Sequence, residues 1–268
     1  MQAGNAVCKQ ADKGEDMKAV IVDLDRTLLR TDKSISEYTA RILWKCHGSG
    51  VRLIAATARP MRAIRCYDEL IGFDATVALN GATVLTPQGS LDFGISRESG
   101  ERILAAILRY PDVFLSIETS KGLYANREFP LWNPIVYDAF PILPEDAVLY
   151  KIIASSGKSP LYDNVESVLS NDTYHTIADQ RLVQIMSRLA TKWSGIKQVL
   201  NGFGILPKEA VYFGDDNDDI EPIKNCGLGV AVSNAIPSVL AAADRITASN
   251  DMDGVARFIE QNVLQGRE

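Results

Sequence analysis

Ala19-Val20-Ile21-Val22-Asp23-Leu24-Asp25-Arg26-Thr27 is a short apolar run that ends on two carboxylates two residues apart. A continuous run of this kind, rich in β-branched residues, reads as a strand buried on both faces, here over residues 18–23. On a continuing strand Asp23 and Asp25 would face the same side of the sheet; a chain that turns just after Asp23 aims both at one small volume. That volume lies at a strand's carboxyl end, the edge where open α/β sheets bind ligands. Two acids there hold a cation, divide nucleophilic and acid–base roles, or do both. A solvated acidic turn is the plainer reading.

Outward from this strand the pattern repeats. Ser36 caps a helix in which Tyr38, Ile42 and Cys46 recur at helical spacing, and Gly48-Ser49-Gly50 ends it before the apolar run 51–56. That βαβ unit makes the two strands parallel, so Thr57 follows the second strand at the same edge as Asp23. Arg59-Pro60 opens a helix running to about Leu70, and a third strand, 76–79, ends in Asn80-Gly81. Far along the chain the alternation resumes. Lys192 stands just before a helix with Ile196, Val199 and Leu200, and 210–213 is a strand followed by Gly214-Asp215-Asp216-Asn217-Asp218-Asp219. A short helix 220–225, a strand 228–232 with Asn234-Ala235 at its end, and a closing helix near 255–263 complete it.

Between these stretches the texture differs. A turn at Pro87-Gln88-Gly89-Ser90 leads to a helix around 98–110 and strand-like runs at 113–118 and 123–125. An irregular segment, 126–146, contains Pro130, Pro134, Pro141 and Pro144. A second round follows, with a strand 148–154, a helix 161–169 and strands 174–178 and 182–186. Two helix–hairpin units in tandem predict an inserted α+β domain with an antiparallel sheet. The expected organisation is a tail at 1–16, a core domain from 17–86 and 188–268, and an inserted domain at 87–187, with hinges near 86–90 and 187–191.

The 268 residues, 46% of them hydrophobic, are enough for one large core or two smaller ones. With 28 basic against 34 acidic residues, a net charge of -6 and no long basic run, nucleic acid and anionic membranes are poor partners. An anionic substrate must then be met by a metal or a few placed cations. Cys8, Cys46, Cys66 and Cys226 are far apart, and only His47 and His175 could join them, so zinc is not expected and a reducing compartment is. No apolar stretch has the length of a membrane span and the first residues lack a signal-peptide run, which predicts a soluble, cytoplasmic protein.

Asp23, Asp25, Thr27, Thr57, Lys192, Asp215 and Asp219 all fall at or next to predicted strand ends. Singly, each reads as a helix cap or turn former. Together, acids from two strand ends with one lysine nearby would be a costly structural device. A hard divalent cation such as Mg²⁺, held by one or two carboxylates together with substrate phosphate, removes the difficulty. Phosphoryl transfer suits the rest: Asp23 as in-line nucleophile, Asp25 to protonate the leaving oxygen and later deprotonate water, Thr57 as donor and Lys192 as fixed charge.

On these residues the chain resembles the haloacid dehalogenase superfamily phosphatases, in particular the Cof-type group with a type-IIB cap. The first motif of that family, Asp-x-Asp-x-Thr after an apolar strand, is matched by Asp23 to Thr27, and the second by Thr57. The third is best matched by Lys192 and the fourth, Gly-Asp-x-x-Asn-Asp, by Gly214 to Asp219; Asn80-Gly81-Ala82 also fits. The resemblance implies a doubly wound parallel-sheet core with an inserted α+β cap of type C2B. It also implies a small phosphorylated metabolite as substrate: a sugar phosphate, a nucleotide-like phosphate or a vitamin precursor. Asp23 is then the nucleophile and Asp25 the general acid/base. Mg²⁺ is held by Asp23, the Asp25 backbone carbonyl and Asp215, with Asp219 as outer ligand or support, while Thr57, Lys192 and Asp218 bind the phosphoryl group. Arg26 and Ala58 stand where glycine is usual, and Asp218 where asparagine is. Ala58 would be strained if that backbone needs a positive φ. The extra charge of Asp218 either weakens phosphate binding or tightens metal binding.

Related readings are a phosphomutase or phosphotransferase, and a phosphate-ligand sensor without catalysis. No Gly-x-Ser-x-Gly elbow or Gly-Lys-Ser/Thr phosphate loop occurs, and Gly202-Phe203-Gly204 lacks the third glycine of a dinucleotide fingerprint because Pro207 stands there. In the inserted domain, Lys121, Tyr124, Arg127, Trp132 and Lys151 are the residues expected to meet substrate, if any do.

Overall fold

The computed structural model describes residues 17–130, 132–155, 161–178 and 182–265; the expected tail at 1–16 lies outside them. In chain order the elements are β1 (Ala19–Val22), α1 (Glu37–Gly48), β2 (Arg52–Ala56), a 3-10 turn Met61–Ala63, α2 (Arg65–Ile71), β3 (Ala75–Ala78), β4 (Thr83–Thr86) and β5 (Gly89–Asp92). Next come α3 (Arg97–Ile107), β6 (Phe114–Thr119), β7 (Gly122–Ala125), β8 (Ile135–Val136), β9 (Leu149–Ser155), α4 (Leu161–Val168), β10 (Thr173–Ala178) and β11 (Leu182–Ser187). The chain ends with α5 (Lys192–Phe203), β12 (Ala210–Gly214), α6 (Ile220–Asn225), β13 (Leu228–Val232), α7 (Pro237–Ala242), β14 (Arg245–Thr247) and α8 (Gly254–Asn262).

β1 is buried at every position because it lies inside an eight-stranded sheet ordered β14-β13-β12-β1-β2-β3-β4-β5. Strands β14 to β3 are parallel, and β4 and β5 add an antiparallel hairpin. Helices α1, α2 and α8 pack together, as do α5, α6 and α7, in the doubly wound arrangement. The parallel register sets Val22 beside Ala55 on one side and Phe213 on the other, so the residues after β1, β2 and β12 emerge at one edge.

The second sheet is ordered β10-β11-β9-β6-β7-β8 and is antiparallel except for β7 with β8. One face is covered by α3 and α4: Ile103, Leu104, Ile107 and Val165 pack on Leu115, Ile117, Ile152 and Ile185. Because side chains alternate across a strand, Glu118 and Lys151 lie on the opposite face.

The structure corrects four expectations. The division expected at residue 87 cuts the turn between β4 and β5, yet β5 belongs to the larger sheet, and the chain crosses to the second one only where Ile95 donates to the Leu149 carbonyl. All of β5 is exposed, so it carries no apolar pattern; backbone pairing with β4 holds this edge strand, together with the Tyr150 hydroxyl donating to Asp92 Oδ1 at 2.8 Å. After Pro60 a 3-10 turn intervenes and the α-helix starts at Arg65. The stretch 126–146 contains β8. Two short elements, α7 and β14, were not expected, being too brief for periodicity to register. Ser36 does cap α1, accepting from the Thr39 amide at 3.0 Å. Among the described residues no helix is long and apolar enough to cross a membrane.

Candidate active site

Asp23 is the last residue held in the ladder after β1, its amide donating to the Phe213 carbonyl at 3.0 Å. The chain then turns: Leu29 donates to the Leu24 carbonyl at 2.8 Å, and Arg26 takes φ 60. This left-handed backbone accounts for the usual glycine there, since a side chain at such a φ costs about 1–2 kcal/mol. Asn234, after β13, fastens the turn by donating to the Arg26 carbonyl at 2.7 Å. Ala58 is absent from the positive-φ residues, so its methyl group is accommodated without strain and that concern falls away.

The turn separates the two carboxylates. Asp23 points inward and is 5% exposed. The half-exposed Asp25 faces Arg59, which donates to it from Nε at 2.6 Å and Nη2 at 2.8 Å, and Lys33, at 2.7 Å. Burial works to raise the Asp25 carboxyl, but these two cations prevail and hold it at about 2. Thr27 uses its hydroxyl on Asp215 Oδ1 at 2.9 Å. Burial pushes the Asp215 carboxyl up to about 6 against that hydrogen bond.

Lys192 is the first residue of α5, whose N-terminus is capped reciprocally by Thr191 and Ser194. The sheet edge approaches this cap closely at Gly81, φ 92, where a Cβ would lie 2.2 Å from the Thr191 carbonyl oxygen. Lys192 Nζ thereby donates to Asp23 Oδ1 at 2.8 Å and Asp219 Oδ1 at 2.6 Å, and lies 3.3 Å from Asp218. Burial opposes its charge, but Asp219, Asp23 and Asp218 outweigh burial and hold the ammonium well above its ordinary value. For Asp23 the balance is reversed: burial, with Asp219 and Asp218, raises the carboxyl well above its usual range despite Lys192. Asp218 is raised too, chiefly by burial.

Asp219 is fully buried and saturated. Oδ1 accepts from Lys192 and from the Tyr212 hydroxyl at 2.5 Å, and Oδ2 from the Asp215 and Asp216 amides at 2.8 and 3.0 Å. A carboxylate offers about four lone-pair sites, and these four donors all come from the protein, so the Asp219 side chain braces the loop and Lys192. Gly214 permits this fold-back, because a Cβ there would lie 2.4 Å from Asp219 Cβ.

Asp23, Asp215 and Asp219 present carboxylate oxygens within 4.8 Å of one another. Asp23, Asp218 and Asp219 share one buried lysine and Asp215 has only the exposed Arg26 at 3.8 Å, so a divalent cation fits both the oxygen donors and the surplus of negative charge. The Asp25 carboxylate is not in this cluster. Thr57, buried at 1% exposure, ends β2 at the same edge, its hydroxyl accepting from the Arg59 amide at 3.2 Å.

Of the inserted-domain residues, Arg127 packs over the Phe114 ring and donates to the Asp112 carbonyl, and Trp132 clusters with Phe114 and Phe129. Tyr124 packs edge-on to Tyr137, and Lys121 sits in the β6–β7 turn. Lys151 is buried, and Asp218, Glu118 and Lys192 act on its charge. Sequence reasoning missed Arg59, Lys33 and Tyr212. A tyrosine in a buried strand needs a partner for its hydroxyl, and that signal was available for Tyr212; nothing local marked Arg59.

A family model described as haloacid dehalogenase-like hydrolase matches residues 20–259. The 5-amino-6-(5-phospho-D-ribitylamino)uracil phosphatase YitU of Bacillus subtilis is 27% identical over 266 residues, covering 90% of this chain and 96% of that protein. Among solved structures, TM0651 from Thermotoga maritima superposes with a TM-score of 0.81 at 23% identity, over 91% of this chain and 97% of that one. BT4131, described as a subclass IIB sugar phosphatase, does so with a TM-score of 0.74 at 21% identity, over 91% and 98%.

Proposed function

The chain belongs to the haloacid dehalogenase-like hydrolases, and from that premise we propose a phosphoric monoester hydrolase of their subclass IIB acting on a small phosphorylated metabolite with Mg²⁺. The observation that carries this reading is the state of Asp23. It is buried at a strand end, with Oδ1 held by Lys192 and no donor among the described residues on Oδ2. Oδ2 attacks phosphorus in line, the bond from phosphorus to the leaving oxygen breaks, and an aspartyl-phosphate forms. Asp25 gives its proton to the leaving oxygen. It then takes a proton from the water that attacks phosphorus, and the bond to Asp23 breaks to release phosphate. Thr57 and Lys192 donate to the phosphoryl oxygens, and Asp218, held by Lys192, lines the same rim. Asp23, Asp215 and the backbone carbonyl of Asp25 would hold Mg²⁺, which when bound supplies positive charge to the equatorial oxygens.

With phenyl phosphate as substrate, phosphate release is expected to require Mg²⁺ and to stop with EDTA. Release indifferent to EDTA would rule out the metal. No release from phenyl phosphate or a panel of metabolite phosphomonoesters would rule out the hydrolase. A panel also separates sugar, nucleotide-like and vitamin-precursor phosphates.

Asp25 must be protonated to act as acid, yet Arg59 and Lys33 keep its carboxyl at about 2. A general acid works only below its pKa, so the rate it supports falls as pH rises through that value. Arg59→Gln removes two hydrogen bonds to the ionised form and raises the pKa, by about one unit or more. The descending limb of kcat/KM against pH is therefore expected to move to higher pH. A limb that stays in place would remove Asp25 from the role of acid.

A further inference from the structure

The face of the second sheet not covered by α3 and α4 carries Glu118 on β6 directly opposite Lys151 on β9. Cross-strand neighbours of opposite charge stand about 5 Å apart at Cβ and ordinarily pair. These two do not. Arg62, in the 3-10 turn of the core, takes both Glu118 oxygens, Nη1 on Oε1 and Nη2 on Oε2 at 2.8 Å. Lys151 is left 4% exposed, with no hydrogen bond or ion pair among the described residues.

That condition has no packing rationale. The other buried lysine among the described residues, Lys192, is matched by carboxylates, whereas Lys151 is matched by none and its Nζ is not a fully enclosed atom, so the ammonium is open to a further partner. Burial holds the Lys151 ammonium down to about 8, against the pull of Asp218 and Glu118. The Arg62–Glu118 pair sets this face of the second sheet against the core turn that follows β2 and Thr57, with Lys151 beside Glu118 on it. Asp218 and Lys192 of the site act on the Lys151 charge, so Lys151 faces the side of the site from which a leaving group departs. Cations in such a position contribute most when a substrate oxygen completes them.

On the phosphatase reading above, we propose that Lys151 is a specificity-determining residue whose ammonium donates to a hydroxyl or carboxylate oxygen of the leaving group. Arg62 is the positioning residue that frees it, by drawing Glu118 across to the core. Without Arg62, Glu118 returns to its cross-strand neighbour and Lys151 is consumed. Recognition of the leaving group is thereby tied to the apposition of the second sheet and the core, and an ester lacking such an oxygen gains nothing from Lys151.

The test compares kcat/KM with Mg²⁺ for phenyl phosphate, sorbitol 6-phosphate and 2-phosphoglycolate, whose leaving groups carry, in that order, no further oxygen, hydroxyls and a carboxylate. In Lys151→Met, which keeps the side-chain length, the ratio of an oxygen-bearing ester to phenyl phosphate is expected to fall about tenfold or more. The ester that shows the fall tells hydroxyl from carboxylate. Arg62→Ala, at a half-exposed position, is expected to give the same change in ratio, and the double variant no more than Lys151→Met alone. Ratios unchanged in Lys151→Met overturn the role of Lys151. Additive losses in the double variant overturn the role of Arg62. Failure of the hydrolase reading looks different: the wild-type protein would release phosphate from none of the three, and both proposals would fall.

Discussion

Asp23→Asn is expected to lower phosphate release from phenyl phosphate by at least about 10⁴-fold, the scale seen when a covalent nucleophile is removed. The amide cannot form the acyl-phosphate, and Lys192 loses one of the carboxylates that hold it. The same variant should not be less stable. In the absence of metal the site holds more acids than cations, and burial together with Asp219 and Asp218 already drives the Asp23 carboxyl toward its neutral form. An uncharged Asn of the same size relieves that repulsion, so the variant is expected to melt at or above the wild-type temperature in metal-free buffer. Mg²⁺ should raise the melting temperature of the wild type more than that of the variant. Retained hydrolysis would remove Asp23 from the nucleophile's place, and a large drop in melting temperature would show that its charge is structural.

The second large effect is expected at Lys192. It is the shared cation of Asp23, Asp219 and Asp218, 2% exposed as a side chain, and Lys192→Met leaves those acids facing one another. Breaking such a buried pair by removing one partner costs about 3–5 kcal/mol. In a chain of this size that lowers the melting temperature by roughly ten degrees. Without Lys192, burial raises the Asp23 carboxyl further above its unfolded value. The folded variant then binds more protons than the unfolded chain across that interval, so its stability is greatest at low pH and declines as pH rises through it. Acidifying from pH 8 to pH 5.5 should therefore recover part of the lost stability, and so should Mg²⁺. A variant as stable as wild type at pH 8 would mean that the carboxylates carry less charge than their geometry implies. Activity is expected to fall with either outcome, since Lys192 orients Asp23 Oδ1.

These two residues were legible in the sequence for different reasons. Asp23 follows four consecutive buried residues of a strand, and that pattern places it at the carboxyl edge of a parallel sheet before any coordinate is known. Lys192 had no strand to mark it; it was found as the lysine ahead of a helix within a motif order. Its partners came from folding. Arg59, by contrast, lies two residues after Thr57 and neutralises Asp25, yet an arginine at a helix start reads as an ordinary surface charge. The β4–β5 hairpin escaped because an exposed edge strand has no apolar period to announce it.

By itself the sequence determined the doubly wound sheet, the edge at which Asp23, Thr57 and Asp215 gather, and the surplus of acid there. Periodicity and parallel register suffice for this, because they set which face and which end of a strand each residue occupies. Only the tertiary structure decided how the charges pair. Asp219 is spent on Tyr212, Lys192 and two amides, Asp25 is turned onto Arg59 and Lys33, and Arg62 takes Glu118 from Lys151. Long polar side chains from distant segments compete for the same partners, and burial, hydrogen-bond geometry and the crossing between two sheets settle that competition.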